Sequence, residues 1–375
     1  MPTVLIVFVV LLWGPLRWHP IKPSFRLHSL SNEKMIGFLK NVHKTTQFFC
    51  ATTSVLLNST LIGLIIFKSP KSIGFYKYLM IYISLFEAVY SILDVSAEPI
   101  IFSHGSAFIA LTNVQNSFLD KSWMFLVIII YAGCFGFSLA LFAVHFLYRY
   151  SIIRLSFGGK LLHGSKKQCL FVIPLIYGFW WTYLCSLFSP DSENDSYMRK
   201  AILDNFNLKM EDLTYVCFLF YRIDHKGIST PNLKAFIAIL CMMFMILTSM
   251  FCVLYFGVNC YKVMNHAFLD KPNESVLTKS LQKQLFYALV IQTCIPLVLM
   301  YIPAGVLFLT AIFEFPMGSA SNIVAITIAI YPAIDPLPNL LIITEYRRAI
   351  KQFLMVYVFR NSSKTNNTNI VLNRF

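Results

Sequence analysis

The chain has 375 residues, of which 57% are hydrophobic, 16% are aromatic and only 13% are charged. This composition excludes a soluble enzyme and indicates a helical protein that crosses a membrane several times. The formal net charge of +14 does not indicate nucleic-acid binding, because the basic residues lie in short connections between apolar runs, where positive charge sets membrane topology.

Residues 1–45 form an N-terminal extension whose nature the sequence leaves open. Val4–Trp13 is an apolar run of ten residues, too short for a bilayer, which needs about 20 helical residues. A cleaved signal, an interfacial anchor and a wrongly assigned start of the chain remain as alternatives. The basic segment Arg17–Lys44 follows as a tail.

Seven apolar runs follow, each long enough to cross a membrane as a helix. They predict an all-α membrane protein, a seven-transmembrane helix bundle over residues 46–345. The runs are Gln47–Phe67, Tyr78–Ile101, Ser122–Leu147, Gln168–Phe188, Ala235–Val258, Leu285–Phe313 and Ser319–Thr344.

The distribution of lysine and arginine between the connections predicts the orientation. The first, third and fifth connections hold twelve of these residues, whereas the second and sixth hold Lys121 alone. Because basic loops stay in the cytoplasm, the N-terminus is predicted outside and the C-terminus inside.

The fourth connection, Ser189–Lys234, is long and lies outside by this count. Its Asn194-Asp195-Ser196 sequence is a predicted glycosylation site. Cys185 and Cys217 are able to form an extracellular disulfide, although one sequence does not fix that pairing. The nine cysteines and eight histidines show no spacing typical of a metal site, so no cofactor or metal is predicted.

The seventh run carries a carboxylate among prolines, in the stretch IYPAIDPLPNLLIITEYRRAI. Pro332, Pro336 and Pro338 free backbone groups that only neighbouring helices or water can satisfy, which places the segment inside the bundle. Asp335 at membrane depth is predicted to be a conformational switch; a capping role for the freed carbonyls is the alternative. In the sixth run, Pro296 and Pro303 lie near one helix face and predict a pivot, or a static kink.

Three carboxylates of the second run share one helical face: Glu87, Asp94 and Glu98. They must face the bundle interior or water, and they are candidates for ligand or ion contact. Helix packing is the alternative for Glu87 and Asp94. Glu98 either lines a ligand pocket or reaches the membrane interface.

Several stretches together resemble the str-type nematode seven-transmembrane chemoreceptors, over about residues 44–359. They are the second-run segment SIGFYKYLMIYISLFEAVYSILDVSAEPIIFSHGSAFI, the third-run exit HFLYRY, TCIPLVLMYIPAGVLF and the seventh-run stretch ending in EYRRAI. The resemblance implies a receptor of sensory neurons for a small odorant or soluble chemical, signalling through a heterotrimeric G protein. It also implies a multi-pass plasma-membrane protein of sensory cilia.

The matched residues at the cytoplasmic side fit a coupling role. Arg149 can hold a partner across helices at rest and turn toward a G protein when the helices separate, with His145 on the same face. Tyr148 stands where rhodopsin-like receptors carry an acidic residue, so a lock on Arg149 needs another partner. A topological arginine and a capping histidine are the alternatives. Tyr346 and Arg347 begin a predicted amphipathic helix on the inner leaflet, followed by a disordered tail, within residues 346–375.

Two other classes of protein are weighed and disfavoured. An ion-coupled transporter would use the same carboxylates, but the sequence shows no internal repeat or paired broken helices. An intramembrane enzyme would need clustered ligands or a nucleophile with its base, which the sequence lacks. The ligand, the G-protein class and the oligomeric state are not readable from the sequence.

Overall fold

The structure is a computed structural model that describes residues 25–115, 117, 119–153, 167–223, 228–270, 276–315, 317 and 321–356. Val4–Trp13 and the predicted tail after residue 356 lie outside the described residues. Two compact units are distinguished, Met1–Asn41 and Val42–Phe375. The described part of the first unit is helical; everything below concerns the second.

Seven helices of the described residues are long and apolar enough to cross a membrane, which confirms the predicted seven-helix bundle. These spans, numbered in chain order, are Asn41–Lys68, Tyr76–Ala97, Lys121–Ile153, Cys169–Ser186, Leu233–Asn265, Val276–Ile312 and Ile323–Ile342. The helices that contain the first and fifth spans run over Phe25–Lys68 and Leu233–Asp270. The sixth span begins nine residues before its apolar run, because a helix continues past the membrane edge where hydropathy has already fallen.

Small residues let the third and fourth spans approach closely. A Cβ placed on Gly136 would lie 2.6 Å from the Cβ of Trp181, and one on Gly133 would meet Thr182. Glycine at these positions permits a helix contact that any larger side chain would prevent.

The sixth span changes its helical winding between its two prolines. An α-helix over Val276–Pro296 passes into a π-helical segment, Leu297–Tyr301, and continues as an α-helix over Ile302–Ile312. Each proline removes a backbone donor, and π segments are frequent where the helical ladder is interrupted. The break predicted from Pro296 and Pro303 is therefore present; whether it moves stays a prediction.

The seventh span is broken at Asp335. Its first helix, Asn322–Ile334, contains Pro332, and a short helix, Leu337–Ile342, begins after Pro336. A helix over residues 344–356 follows, with Phe353, Leu354 and Val356 exposed. Residues 351–356 are exposed on all faces, so the amphipathic helix at the bilayer surface stays a prediction.

The end of the bundle that is predicted to lie outside, called the outer side below, carries a sheet that the all-helical prediction did not include. Strands β1 (Ile100–His104), β2 (Ala107–Asn113) and β3 (Leu213–Leu219) pair antiparallel in the order β1-β2-β3. Gly105, at φ +53°, and Ser106 form the turn of the β1-β2 hairpin, a position that favours glycine. Two further strands, β4 (Tyr221–Ile223) and β5 (Ser229–Pro231), form a separate hairpin.

Alternate residues of β3 face two different cores. Tyr215, Cys217 and Leu219 pack in a cluster with Met198 and Ile202 of an outer helix, Ser192–Phe206. Val216, Phe218 and Phe220 belong instead to the core of the bundle. Because successive side chains of a strand point to opposite faces, one face of the sheet packs on the outer helix and the other covers the outer end of the spans.

The two cysteines considered for a disulfide are separate in the structure. Cys185 packs in the core of the bundle and Cys217 in the cluster under the outer helix, and both are free thiols. The geometry therefore does not support the Cys185–Cys217 bond considered from the sequence.

Candidate functional site

Arg149 lies near the C-terminal end of the third span, the end predicted to be cytoplasmic, and is buried, with 3% of its surface exposed. Its Nη1 donates a hydrogen bond of 2.5 Å to Oε1 of Gln282 in the sixth span. Its Nε and Nη2 have no hydrogen-bond partner among the described residues. A buried guanidinium with unused donors is costly, so this site is prepared to accept further acceptor groups.

Tyr76 of the second span forms the other wall around Arg149. The guanidinium carbon lies 4.1 Å from the centroid of the Tyr76 ring, in cation–π contact. The Tyr76 hydroxyl is 3.3 Å from Nδ1 of His145, and its ring stacks on Tyr148. Three spans therefore meet at one arginine.

The residues predicted for G-protein coupling divide into two groups. His145, Tyr148, Arg149 and Tyr346 are all buried at this end of the bundle, and the Tyr346 hydroxyl is 2.7 Å from Oγ of Ser69. Burial raises the pKa of Tyr346 to about 12, so the hydroxyl is neutral and able to share this hydrogen bond. Arg347 is exposed and donates to the Leu341 carbonyl oxygen.

Asp335 is fully buried in the middle of the bundle and binds the sixth span. Nε2 of Gln292 donates to Oδ2 of Asp335 at 2.8 Å and to its backbone carbonyl at 3.1 Å. Oε1 of Gln292 accepts from Nδ2 of Asn339 at 3.0 Å. The break in the seventh span and the sixth span are thus joined by one amide side chain.

Glu87 is fully buried on the other side of Asp335. It faces the Asp335 carboxyl group and the side chain of Asn58 in the first span. Nδ2 of Asn58 in turn donates to the carbonyl oxygen of Pro332, at 3.3 Å. The carbonyl freed near the prolines is thus satisfied by another span, while Asp335 is held by Gln292.

Asp94 lies nearer the outer side, among aromatic residues. Its carboxyl group faces the Tyr131 hydroxyl and the Gln47 side chain, and Tyr131 packs on Tyr90, whose ring is 6.3 Å from that of Tyr331. The Tyr331 hydroxyl has no hydrogen-bond partner among the described residues, and the Tyr131 hydroxyl has the Asp94 carboxyl group beside it. Unused polar atoms in an aromatic surrounding are suited to orient a small molecule.

Glu98 does not join the other two carboxylates. It follows the last residue of the second helix in a left-handed conformation and pairs with Lys44 at 2.6 Å. Both side chains are well exposed, so Glu98 is not buried with Glu87 and Asp94; a position at the membrane interface stays a prediction.

The structure argues against the predicted glycan on Asn194. Asn194 is buried at the start of the outer helix, where its Nδ2 donates to Oδ2 of Asp191 and its backbone N–H to Oδ1. Asp191 is the N-cap of that helix. A glycan on Nδ2 would break this cap, so the sequon is sterically unsuited.

Five residues that complete the site escaped sequence reasoning: Asn58, Tyr76, Tyr131, Gln282 and Gln292. Each is neutral and polar or aromatic, and such residues give little signal in an apolar run. Only the rarity of an amide at membrane depth would have marked Asn58 and Gln292.

Comparison with known families gives a match over most of the chain. The family described as "Serpentine type 7TM GPCR chemoreceptor Str" matches residues 43–351. The chain is 33% identical over 312 residues to "G-protein coupled receptor str-217" of Caenorhabditis elegans, covering 83% of this chain and 89% of that protein. It is 29% identical over 315 residues to "Serpentine receptor class r-10" of the same organism, covering 83% and 90%.

A likeness in fold extends to a solved structure. The crystal structure of squid rhodopsin superposes with a TM-score of 0.52 at 12% identity, covering 84% of this chain and 87% of that one. At this identity the likeness concerns the arrangement of the seven helices alone.

Proposed function

This chain belongs to the Str family of serpentine seven-transmembrane chemoreceptors, and from that premise we propose that it binds a small odorant or soluble chemical and activates a heterotrimeric G protein. Members of this family are receptors and not enzymes. The transporter alternative is not favoured, because the match covers 89% and 90% of the length of two relatives that are named as receptors.

The contact between Arg149 and Gln282 carries the coupling proposal. It joins the third and sixth spans at the cytoplasmic end, and the sixth span has a π-helical break above it. Displacement of the lower sixth span would separate the two side chains and expose a buried arginine. An exposed guanidinium with free donors is suited to bind carbonyl or carboxylate groups of a G protein.

The ligand is proposed to bind beneath the outer sheet, near Asp94. Aromatic side chains of three spans meet there, and the Tyr331 hydroxyl has no hydrogen-bond partner among the described residues. The sheet closes over this region, and Phe308 of the sixth span packs on its Phe108 at 4.0 Å. A ligand in this place would contact the outer half of the sixth span, above the break.

The cellular setting is proposed from the same premise. The receptor lies in the plasma membrane, in the cilia of a sensory neuron, with its N-terminus outside and its C-terminus in the cytoplasm. The basic first, third and fifth connections support this orientation.

Expression in a G-protein reporter cell tests the function. The cells are challenged with a panel of volatile and water-soluble chemicals, and Arg149→Ala at equal surface density is the matched control. A saturable response that needs Arg149 supports the proposal. A saturable ion current or solute uptake without a G-protein signal would contradict it.

A further inference from the structure

A cavity lies at the first connection, between the end of the first span and the start of the second. Its volume is about 340 Å³, which is of the size that holds a small molecule or part of a larger one. Its lining includes two isoleucines, Ile65 and Ile66, and two lysines, Lys71 and Lys77. The cavity thus combines apolar surface with positive charge.

The lysines around this cavity have no acidic counterpart. Residues 68–78 include three lysines and no aspartate or glutamate. Among the described residues, Lys68, Lys71 and Lys77 form no ion pair with a carboxylate. Because like charges repel, an anion bound between these lysines would stabilise this end of the bundle.

Aromatic rings hold two ammonium groups beside the cavity. Nζ of Lys77 lies 4.9 Å from the ring centroid of Tyr78, which also lines the cavity. Nζ of Lys167, from the third connection, lies 5.7 Å from the ring centroid of Phe75, and this ring packs on Tyr78. The third connection therefore adds a positive charge to those of the first, and cation–π contacts keep both ammonium groups near the cavity.

The side chains next to the cavity indicate that it lies at the surface of the bilayer. Ile66 and Phe67 are exposed at the end of the first span, where apolar side chains face lipid tails. Lys71 follows four residues after Phe67 and is exposed too, as expected among lipid head groups. Tyr78 is exposed near the start of the second span, and tyrosine is enriched at membrane–water interfaces. A molecule bound here would have its charged part at the lysines and its apolar part along Ile66.

We propose that this cavity binds an anionic phospholipid from the leaflet at the end predicted to be cytoplasmic, with a head-group phosphate between Lys71 and Lys77. Lysine binds phosphate as a point charge, and basic residues next to the cytoplasmic end of a span attract anionic lipids. Ile66 contacts an acyl chain of the lipid. A soluble phosphate compound has no such chain, so the apolar part of the cavity favours the lipid.

Ser69 connects this lipid site to the end of the bundle that contains Arg149. Ser69 lines the cavity, and its Oγ is 2.7 Å from the Tyr346 hydroxyl. Tyr346 belongs to the same apolar cluster as Tyr76 and Tyr148, and Tyr76 covers the guanidinium of Arg149. A bound lipid would thus contact the residue that holds Tyr346 against the first connection.

Lipid binding by the purified full-length protein tests the proposal. No odorant and no G protein are present, so a failure here is distinct from a failure of the proposed function. The protein is placed in phosphatidylcholine nanodiscs that contain increasing amounts of phosphatidylinositol bisphosphate, and its Tm is measured. We expect the anionic lipid to raise the Tm of the wild type, because a ligand that binds the folded state stabilises it. In Lys71→Gln/Lys77→Gln, the amount of lipid needed for the same rise should increase, by about fivefold for each lysine lost.

The matched control removes two positive charges elsewhere on the same predicted side. Lys262→Gln/Lys351→Gln changes the net charge equally, and both lysines are exposed and lie outside the cavity lining. This variant should respond to the lipid as the wild type does. An equal loss of response in both double variants would overturn the proposal, because it would show a diffuse attraction by the whole basic surface.

Three other results would also contradict the proposal. The first is a wild-type Tm that the anionic lipid does not raise, and the second is an unchanged lipid effect in Lys71→Gln/Lys77→Gln. The third is a Tm rise with inositol trisphosphate, which has the head group without acyl chains, that equals the rise with the lipid; this would assign the site to a soluble phosphate compound. If the double variant does not fold, Lys71→Gln alone, at an exposed position, decides by the same comparison.

Discussion

Arg149 and Gln282 are joined by a hydrogen bond of 2.5 Å between the third and sixth spans. The sequence indicated that Arg149 needs a partner other than an acidic neighbour, and in the structure this partner is the neutral amide of Gln282. A hydrogen bond to a charged group contributes roughly 1.5–3 kcal/mol, enough to bias an equilibrium between two states about tenfold or more. The contact is therefore strong enough to hold a resting state and weak enough to open.

Replacement of Gln282 by alanine should raise basal signalling several-fold. The change removes the acceptor that holds the third and sixth spans together, while Tyr76 still covers the guanidinium. Reporter activity without ligand, divided by surface density, is the measurement. Asn259→Ala is a matched control, because among the described residues that amide donates within its own helix, to the Tyr255 carbonyl. Equal basal activity in wild type and Gln282→Ala would mean that this hydrogen bond does not hold the resting state.

Replacement of Arg149 by alanine should leave surface expression largely intact and remove the ligand-evoked signal. This variant also opens the contact with Gln282, yet it lacks the cation that a G protein would bind. Gln282→Ala is thus expected to raise basal signalling and Arg149→Ala to remove the ligand-evoked signal, although both changes break the same hydrogen bond. A dose response at equal surface density is the measurement. Full signalling by Arg149→Ala would mean that Arg149 serves only to set the membrane topology.

Replacement of Asp335 by asparagine should change basal or ligand-evoked signalling. The structure shows a network of Gln292, Asn339 and Glu87 around Asp335 instead of a basic partner, and the expected perturbation is roughly 1.5–3 kcal/mol. Basal activity and the dose response are measured at matched surface level.

The control for Asp335→Asn follows from the same network. Asn339→Ala is unsuitable, because Asn339 donates to Gln292. Thr327→Val in the same span is suitable, since within the described part of the chain the Thr327 hydroxyl donates to the Val324 carbonyl of its own helix. Wild-type behaviour of Asp335→Asn would leave Asp335 as a local structural residue.

Replacement of Phe218 by alanine should lower thermal stability and surface level. Phe218 is buried between Phe188, at 4.3 Å between ring centroids, and Phe308, at 5.7 Å. Truncation of a buried phenylalanine costs about 3–5 kcal/mol. Leu203→Ala, at an exposed site on the outer helix, is the control in a Tm measurement. Equal Tm values for Phe218→Ala and Leu203→Ala would show that the sheet does not pack on the bundle.

The proposed topology should appear in intact cells as an accessible N-terminal epitope and a C-terminal epitope that antibodies reach only after permeabilisation. Glycosidase treatment should not shift the protein at Asn194, because its amide is held by Asp191. Comparison of wild type with Asn194→Gln on a gel checks this point. A shift that disappears in Asn194→Gln would show that the outer helix does not hold Asn194 as described.

Length, hydropathy and proline placement in the sequence determined the seven spans, the broken sixth and seventh helices and the depth of Asp335. These properties are local: a run of about 20 apolar residues spans a bilayer, and a proline interrupts a helix wherever it stands. The helix ends were less well predicted, as the sixth span shows, because hydropathy marks the membrane and not the helix.

Only the tertiary structure decided which side chains meet. Gln282, Gln292, Tyr76 and Asn58 are ordinary polar or aromatic residues in the sequence and become partners of Arg149 and Asp335 through helix packing. The outer sheet also needed tertiary information, since β3 is separated from the β1-β2 hairpin by the third and fourth spans. A strand that is buried on both faces is as apolar as a membrane helix, so composition does not distinguish the two. Such a strand is recognised only from the strand with which it pairs.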